Sequence, residues 1–284
     1  MATTLEDVEC LIQKFWSPIF TKQLRESLLL GSLVNKDYNG SILKQGDRVT
    51  VGQVNAPVGD LLTIGTNADT FQTSNLAVQC IDIVADKRAV AAYDFDDLVQ
   101  IQSLVGQDNP EVIESLNYAI EKVINDYLYS LVAPSTANPD HLITGVTDFN
   151  ASQLAACRTL AAQALWRRQP GWYCLPDPQY FGDLLNAMTL TSSDYVREDA
   201  PVVAGQIATR RFGFNIFEDN SRGPDYALLF HPDFMHLVMQ TEARIKISDK
   251  HAMKQFGYVM SVDIVFGARL GIDGDKKHIV VRNT

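Results

Sequence analysis

The run LVNKDYNGSILKQGDRVTV, residues 33–51, is the stretch from which the organisation of this chain is best worked out. Its first half, NKDYNG, is dense in turn formers, and a second turn signal follows at KQGD. The run ends at 48–51, where polar and apolar residues alternate, and this pattern predicts a β-strand. The stretch is therefore predicted to carry the chain from an N-terminal segment into a sheet.

The N-terminal segment, residues 5–34, is predicted to be partly helical. Its apolar residues recur at Leu11, Ile12, Phe15, Trp16, Ile19 and Phe20. Pro18 interrupts the pattern, so a second helical piece is expected over 20–30. Such an arm has no core of its own, and we expect it to dock elsewhere. No basic and apolar leader precedes it, so we expect no signal peptide and an intracellular, soluble protein.

A projecting β-hairpin is predicted after the turn-rich run. Residues 52–75 are rich in Gly, Asn, Thr and Asp and are too long for an ordinary connection. Strand patterns follow at 76–84 and 88–93. Residues 41–84 are thus expected to form a hairpin that leaves the body of the protein.

The strongest single element is a long helix that starts at Asn109-Pro110-Glu111. Asn suits the N-cap, Pro the first helical position and Glu the positive end of the helix dipole. Apolar residues then recur with helical period to Leu131, over about 22 residues or about 33 Å. The opposite face carries one base, Lys122, and four acids: Glu111, Glu114, Glu121 and Asp126.

The remainder is predicted to alternate short helices and strands. Helices are expected at 153–166, 180–188 and 232–242, and strands at 172–175, 212–217 and 226–230. Residues 258–268 and 278–282 are expected to pair as a closing hairpin across Asp273-Gly274-Asp275, which is a turn signal.

The charge of the chain argues against a protein that grips nucleic acid. The net charge is −10, and 46% of the residues are hydrophobic, which is ordinary for a globular protein. The charge is uneven: residues 60–126 hold twelve acids and three bases, while 241–284 hold eight bases and five acids.

No motif of catalysis, cofactor binding or metal binding emerges. The four cysteines show no CxxC spacing, and His231 and His236 are five apart rather than the four of a zinc-binding helix. The glycines form no phosphate-binding loop, and no GxSxG elbow occurs. The acids at 94–97 fit a strand-to-helix junction, and the arginines at 167–168 a solvated helix end. We therefore predict no catalytic residue, no cofactor and no metal.

The order of these features resembles the major capsid (coat) proteins of tailed bacteriophages, which have the Hong Kong 97-type fold. The resemblance rests on residues 33–40, LVNKDYNG, followed by GDRV at 46–49. It is weaker at 95–100, where the spacing is one residue shorter, and at 205–216. It implies an α+β fold with an N-terminal arm (1–40), an extended β-hairpin loop (41–80), a peripheral domain with a long spine helix (81–133, closed by strands in 256–284) and an axial domain (134–255).

The resemblance also implies a function without enzymatic activity. Such chains assemble with themselves, in the host cytoplasm, into pentamers and hexamers that form the icosahedral head around double-stranded DNA. Expected partners are a portal, a separate scaffolding protein because the arm leaves no room for a scaffolding segment, and a decoration protein; no membrane is expected. Residues expected at inter-subunit contacts are Phe15, Trp16, Asp37, Tyr38, Lys44, Asp47 and Arg48.

Two further expectations follow from the resemblance. The acidic face of the spine helix would line the shell interior and repel DNA rather than bind it. Lys44, the only lysine in 37–86, lies at the base of the loop, so no covalent cross-links are expected. Three alternatives stay open: an encapsulin-like nanocompartment shell that packages enzymes, an α/β hydrolase, and a tail or decoration protein.

Overall fold

A computed structural model describes residues 25–26, 28–38, 48–61, 73–96, 110–187, 212–240, 244–253 and 255–284. The helices are α1 (Leu30–Leu33), α2 (Pro110–Ser130), α3 (Ala151–Gln163) and α4 (Pro178–Asn186), with short 3-10 turns at Pro232–Phe234, His251–Met253 and Gly274–Lys276. Four predicted contact residues, Phe15, Trp16, Lys44 and Asp47, lie outside the described residues.

The strands form three separate sheets. Their bounds are β1 (Arg48–Val54), β2 (Val78–Val84), β3 (Lys87–Phe95), β4 (Leu142–Ile143), β5 (Trp172–Pro176), β6 (Phe214–Ile216), β7 (Tyr226–Phe230), β8 (Met235–Met239), β9 (Arg244–Asp249), β10 (Tyr258–Leu270) and β11 (His278–Arg282). A two-stranded sheet pairs β1 with β2, and a four-stranded sheet has the order β3-β10-β8 with β9 also paired to β10. A five-stranded sheet has the order β4-β11-β7-β5-β6.

The spine helix, α2, packs on one face of the four-stranded sheet. Every second residue of β10 is buried from Tyr258 to Phe266, as expected of a strand covered on one face. The helix meets them with residues spaced four apart: Leu116, Ile120, Ile124 and Leu128. The predicted long helix is confirmed, and it ends one residue before Leu131.

The five-stranded sheet is covered on both faces. In β7, Leu228 and Phe230 join the core that contains the spine helix, whereas Ala227 and Leu229 join a second core with α3 and α4. A strand buried on both faces needs an unbroken apolar run, which is what YALLF supplies. The predicted strand at 226–230 is confirmed.

The predicted hairpin is confirmed as an antiparallel pair. Val49 and Val51 of β1 turn toward the body and pack against a small core of Ile83, Ala85 and Val238. Beyond that base, the residues of both strands that point outward are exposed.

Two predicted elements are wrong. Residues 232–242 were expected to be a helix, but a 3-10 turn is followed by strand β8, which pairs with β10. A short apolar run does not distinguish a buried strand from a helix, and here the neighbouring strand decides. In the arm, residues 25, 26, 28 and 29 are not helical, so in the described part of the helix expected over 20–30 only Leu30, where α1 begins, is helical.

The predicted closing hairpin is also wrong. β10 belongs to the four-stranded sheet, whereas β11 pairs with β7 and β4 in the five-stranded sheet. The turn signal is real, since Asp273 has φ 53°, but the turn carries the chain from one sheet to the other. Strand pairing therefore divides residues 256–284 between two sheets, and it assigns β8 and β9 to the same sheet as β10.

Candidate assembly surfaces

The base of the arm is held by Asn35, a residue that sequence reasoning did not single out. The Asn35 side chain donates to Asp233 (2.9 Å) and to Asp37 (3.1 Å), and it accepts from the Asp37 backbone (2.8 Å). Its backbone forms an isolated parallel bridge with His236. The arm thus joins the fold at the turn before β8.

The predicted contact residues Asp37, Tyr38 and Arg48 all have partners within the subunit. Asp37 bonds with Asn35, and the Tyr38 ring meets the edge of His236 with centroids 5.4 Å apart. Arg48 forms an ion pair with Asp82 across the hairpin at 3.2 Å. The structure therefore brings these three residues to the arm base and hairpin base.

The outer half of the hairpin is an exposed apolar surface. Leu61 is 99% exposed and Leu76 77% exposed, and Val54, Val58 and Val78 are also exposed. Val54 and Val78 lie opposite each other in register, so they share one face. Clustered exposed apolar side chains are typical of a surface that another protein covers.

A second exposed apolar region went unnoticed in the sequence. Ile245 and Ile247 of β9 are exposed, and in the segment after it Met253 is 76% and Phe256 75% exposed. The alternation RIKIS at 244–248 was the available signal, because it places both isoleucines on one face. Their partners across the strand pair, Val262 and Met260 of β10, are buried. The apolar face of the sheet therefore extends from its covered part at β10 onto the exposed strand β9.

The acidic residues of the spine helix lie on its outer side. Glu114, Glu121 and Asp126 are exposed, and Glu111 is half-buried. Arg25 of the arm lies 3.2 Å from the Glu114 carboxylate, and Arg222 lies 2.8 Å from that of Asp126. Two of the four acids are thus partly neutralised by cations of the same subunit.

The sheets are joined by three connecting segments: 131–141 from the spine helix to β4, 231–234 from β7 to β8, and 271–277 from β10 to β11. Backbone hydrogen bonds join them: Ser135 to Asp275 (2.8 Å), His231 to Lys277 (3.0 Å) and Gly271 to Phe234 (2.8 Å). A Cβ at Gly271 would lie 2.5 Å from the Asp233 oxygen, so only glycine allows this approach. We call these segments the junction.

A cavity of about 470 Å³ lies beside the end of the spine helix. The Tyr129 hydroxyl donates to Asp219, and the Arg222 guanidinium lies 3.9 Å from the Tyr129 ring centre. Burial, with the Asp219 charge, raises the pKa of Tyr129 well above its usual value. These contacts hold the loop at 219–222 against the helix.

The described residues contain no group of three or more His, Cys, Asp or Glu that could hold a metal ion. Cys157 and Cys174 are buried free thiols, but Cys80 is exposed on the hairpin. Burial raises the pKa of Cys157 to about 12, which keeps it protonated. Within the same residues, no helix is long and apolar enough to cross a membrane.

Comparison of the fold with solved structures yields similarities that span the whole chain. A structure from Mycobacterium phage Che8 matches with TM-score 0.76 at 18% identity, over 95% of this chain and 96% of that one. The capsid structure of the Cyanophage P-SCSP1u matches with TM-score 0.72 at 14% identity, over 98% and 94%. A chain of the Cyanophage Pam1 capsid matches with TM-score 0.67 at 12% identity, over 95% and 96%.

The chain has the fold of tailed-phage capsid proteins. No protein-family model and no curated protein matches the sequence. The α+β capsid fold predicted from residues 33–49 is thus confirmed by structure, although identity is low. Among the described residues, the outer half of the hairpin and the residues along β9 expose apolar side chains that the described part of the subunit does not cover.

Proposed function

We propose that this chain is the major capsid protein of a tailed phage, with the Hong Kong 97-type fold. It assembles with itself into pentamers and hexamers that form the icosahedral head around double-stranded DNA, and its place is the virion. The likeness to capsid structures over 95% or more of the chain supports this role. The observation that carries it is the projecting hairpin, whose outer half no described part of the subunit covers.

The hairpin argues for self-assembly on physical grounds. An isolated two-stranded sheet is marginally stable in water, and its base alone packs on the body here. The exposed valines and leucines beyond that base gain burial when a neighbouring subunit covers them. A closed shell needs several different contact surfaces on one chain, and this chain has separate ones on the hairpin and along β9.

The proposed domain division follows the strand pairing. The arm is 1–40, and the extended loop is about 41–80. The peripheral domain comprises 81–133 together with β8, β9 and β10, and the axial domain is built on the five-stranded sheet, including β11.

The partners belong to the same proposal. The capsid acts without catalysis, with a portal, a separate scaffolding protein and a decoration protein as its partners. DNA is enclosed without specific binding, because exposed acids such as Glu121 would face and repel it. Lys44 forms no cross-link, so boiling in detergent should release monomers, and a ladder of larger species would contradict this.

The proposal is tested by imaging the purified chain. Negative-stain microscopy should show closed shells or capsomers, and nucleic-acid analysis of shells from infected cells should find double-stranded DNA. Packaged enzyme in place of DNA would favour the nanocompartment, and a monomer under all assembly conditions would overturn both.

A matched pair of hairpin variants tests the contact surface. Val78→Asp places a charge on the exposed outer face and should block assembly while the thermal midpoint of the subunit stays unchanged. Gln79→Asp adds the same charge on the opposite face of the same strand and should assemble. Assembly of the Val78 variant at the parental level would show that this face makes no contact.

A further inference from the structure

Four histidines lie at the ends of the connecting segments of the junction. His141 ends the first segment, His231 and His236 flank the turn of the second, and His278 follows the third. All four are buried, whereas the remaining histidine of the chain, His251, is exposed on the turn before β10. The buried histidines therefore gather at the segments through which the chain passes between the two large sheets.

Hydrogen bonding at His231 requires a neutral imidazole, and the other three rings have buried nitrogens without a partner among the described residues. Nδ1 of His231 accepts from the Asp233 backbone (3.2 Å), and Nε2 donates to the Gln169 carbonyl (3.2 Å), so protonation would remove the acceptor. Nδ1 of His278 donates to the Gly274 carbonyl at 2.7 Å. Its Nε2, both ring nitrogens of His141 and Nδ1 of His236 have no partner within the described residues.

The charges that face these rings come from each surrounding element. Asp140, Asp275 and Lys276 face His141, and His278 faces both Asp275 and His141 itself. Around His231 and His236 the charged groups are Asp233, Asp37, Lys277 and Arg167. The aspartates favour protonation, but burial outweighs them and lowers the pKa of all four histidines, that of His278 to about 4.

We propose that the junction is an acid-operated joint between the two sheets. At neutral pH the uncharged imidazoles keep the connecting segments packed, and their protonation opens the segments to water. The turn at 231–234 and the arm base, which Asn35 ties to it, are then released, while the apolar core that the two sheets share stays packed. This joint depends on the fold of the single subunit alone, whether or not the chain assembles into a shell.

The direction of the pH effect follows from linkage. In the closed junction the pKa values lie below the ordinary value near 6.5, so the open form takes up protons first. The free energy that favours closure is complete above that ordinary value. It is lost as the pH falls from there toward about 4, the value of His278.

Amide hydrogen exchange of the full chain, followed by mass spectrometry and corrected for the intrinsic effect of pH, tests the joint. Between about pH 7.5 and about pH 5, exchange in 131–141, 231–236 and 271–278 should accelerate by about tenfold or more. The interiors of β5 and β10 should stay protected. Equal acceleration everywhere would indicate general unfolding and would overturn the proposal.

Substitutions identify the responsible groups. His278→Asn keeps a donor for the Gly274 carbonyl but cannot be protonated, and His141→Phe fills the same space without a ring nitrogen. The double variant should lose most of the acid-induced acceleration, while His251→Gln, the exposed control, should retain all of it. The same acceleration in the double variant as in the parent would overturn the proposal.

The unmodified chain gives a second measurement should the double variant not fold. Exchange of the imidazole C2 hydrogens reports the pKa of each histidine separately. The four junction histidines should titrate below the ordinary value near 6.5, and titration of all four at or above that value would overturn the proposal.

Discussion

Two single residues, Asn35 at the arm base and Gly267 in β10, allow contacts between distant parts of the chain. Asn35 is one polar residue in a turn-rich run, yet its amide lies between two carboxylates, those of Asp37 and Asp233. Gly267 sits inside β10 where a strand would normally favour a larger residue. A Cβ there would lie 2.0 Å from the Val84 oxygen, so its absence lets the end of β2 lie against the sheet.

Replacing Asn35 by Asp should destabilise the subunit by about 1–3 kcal/mol, because a third carboxylate replaces the donor. Urea unfolding at neutral pH measures the loss. The second substitution Asp233→Asn should restore part of it, since it supplies a donor again. Equal stability of N35D and the parent would show that the arm base does not depend on this contact.

Gly267→Ala should destabilise the protein by about 1–3 kcal/mol through overpacking against the backbone of Val84. Gly182→Ala is the control, because no atom lies within 4 Å of its added Cβ and alanine favours the helix. The control should unfold at the parental temperature or slightly above. Calorimetry compares the two, and an unchanged midpoint for G267A would refute the close approach.

At the scale of elements, the arm shows how the chain covers its own spine helix. Leu30 of α1 is fully buried against α2, and Gly31 lies next to Leu128. Lys122 meets the Glu26 carboxylate at 2.8 Å, and this contact raises the pKa of Lys122. Burial of the leucine is expected to dominate, because exposed ion pairs contribute little in water.

Leu30→Ala should therefore cost about 2–5 kcal/mol of unfolding free energy, as in other buried leucine truncations. Lys122→Glu should cost far less, because the pair is exposed to solvent. Chemical unfolding of both variants checks the order, with Leu61→Ala as an exposed leucine that should have no effect. A larger loss for K122E than for L30A would mean that charge, not burial, holds the arm.

At the scale of the whole molecule, the chemical reactivity of the three described cysteines distinguishes the packed core from the surface that assembly would cover. Cys157 and Cys174 lie in the second core, where burial raises the pKa of both, while Cys80 is exposed on the outer face of the hairpin. Because only the thiolate is reactive, folding and assembly should protect different cysteines.

Iodoacetamide at neutral pH should label Cys80 of the unassembled chain quickly, and Cys157 and Cys174 only after unfolding. In assembled particles Cys80 should become protected, because a neighbour covers the hairpin. Peptide mass spectrometry measures each site. Unchanged labelling of Cys80 after assembly would contradict coverage of that face.

Local patterns were enough to predict the elements whose structure depends on their own residues. The spine helix was predicted because its cap, its proline and its apolar period agree, and β7 because YALLF is continuously apolar. Residues 232–242 failed because a short apolar run suits either a helix or a strand, and only pairing with β10 decides. Residues 258–282 failed because a turn signal does not say whether its two strands share a sheet.

The sequence by itself therefore determined the order of arm, hairpin, spine helix and later strands, since each depends on contacts between neighbours in the chain. Only the tertiary structure decided that β10 and β11 lie in different sheets, that Asn35 ties the arm to Asp233, and that four scattered histidines meet at one junction. These features depend on residues up to about two hundred positions apart in the chain. Which of them become neighbours is settled by the burial of shared apolar surface, which has no local signature.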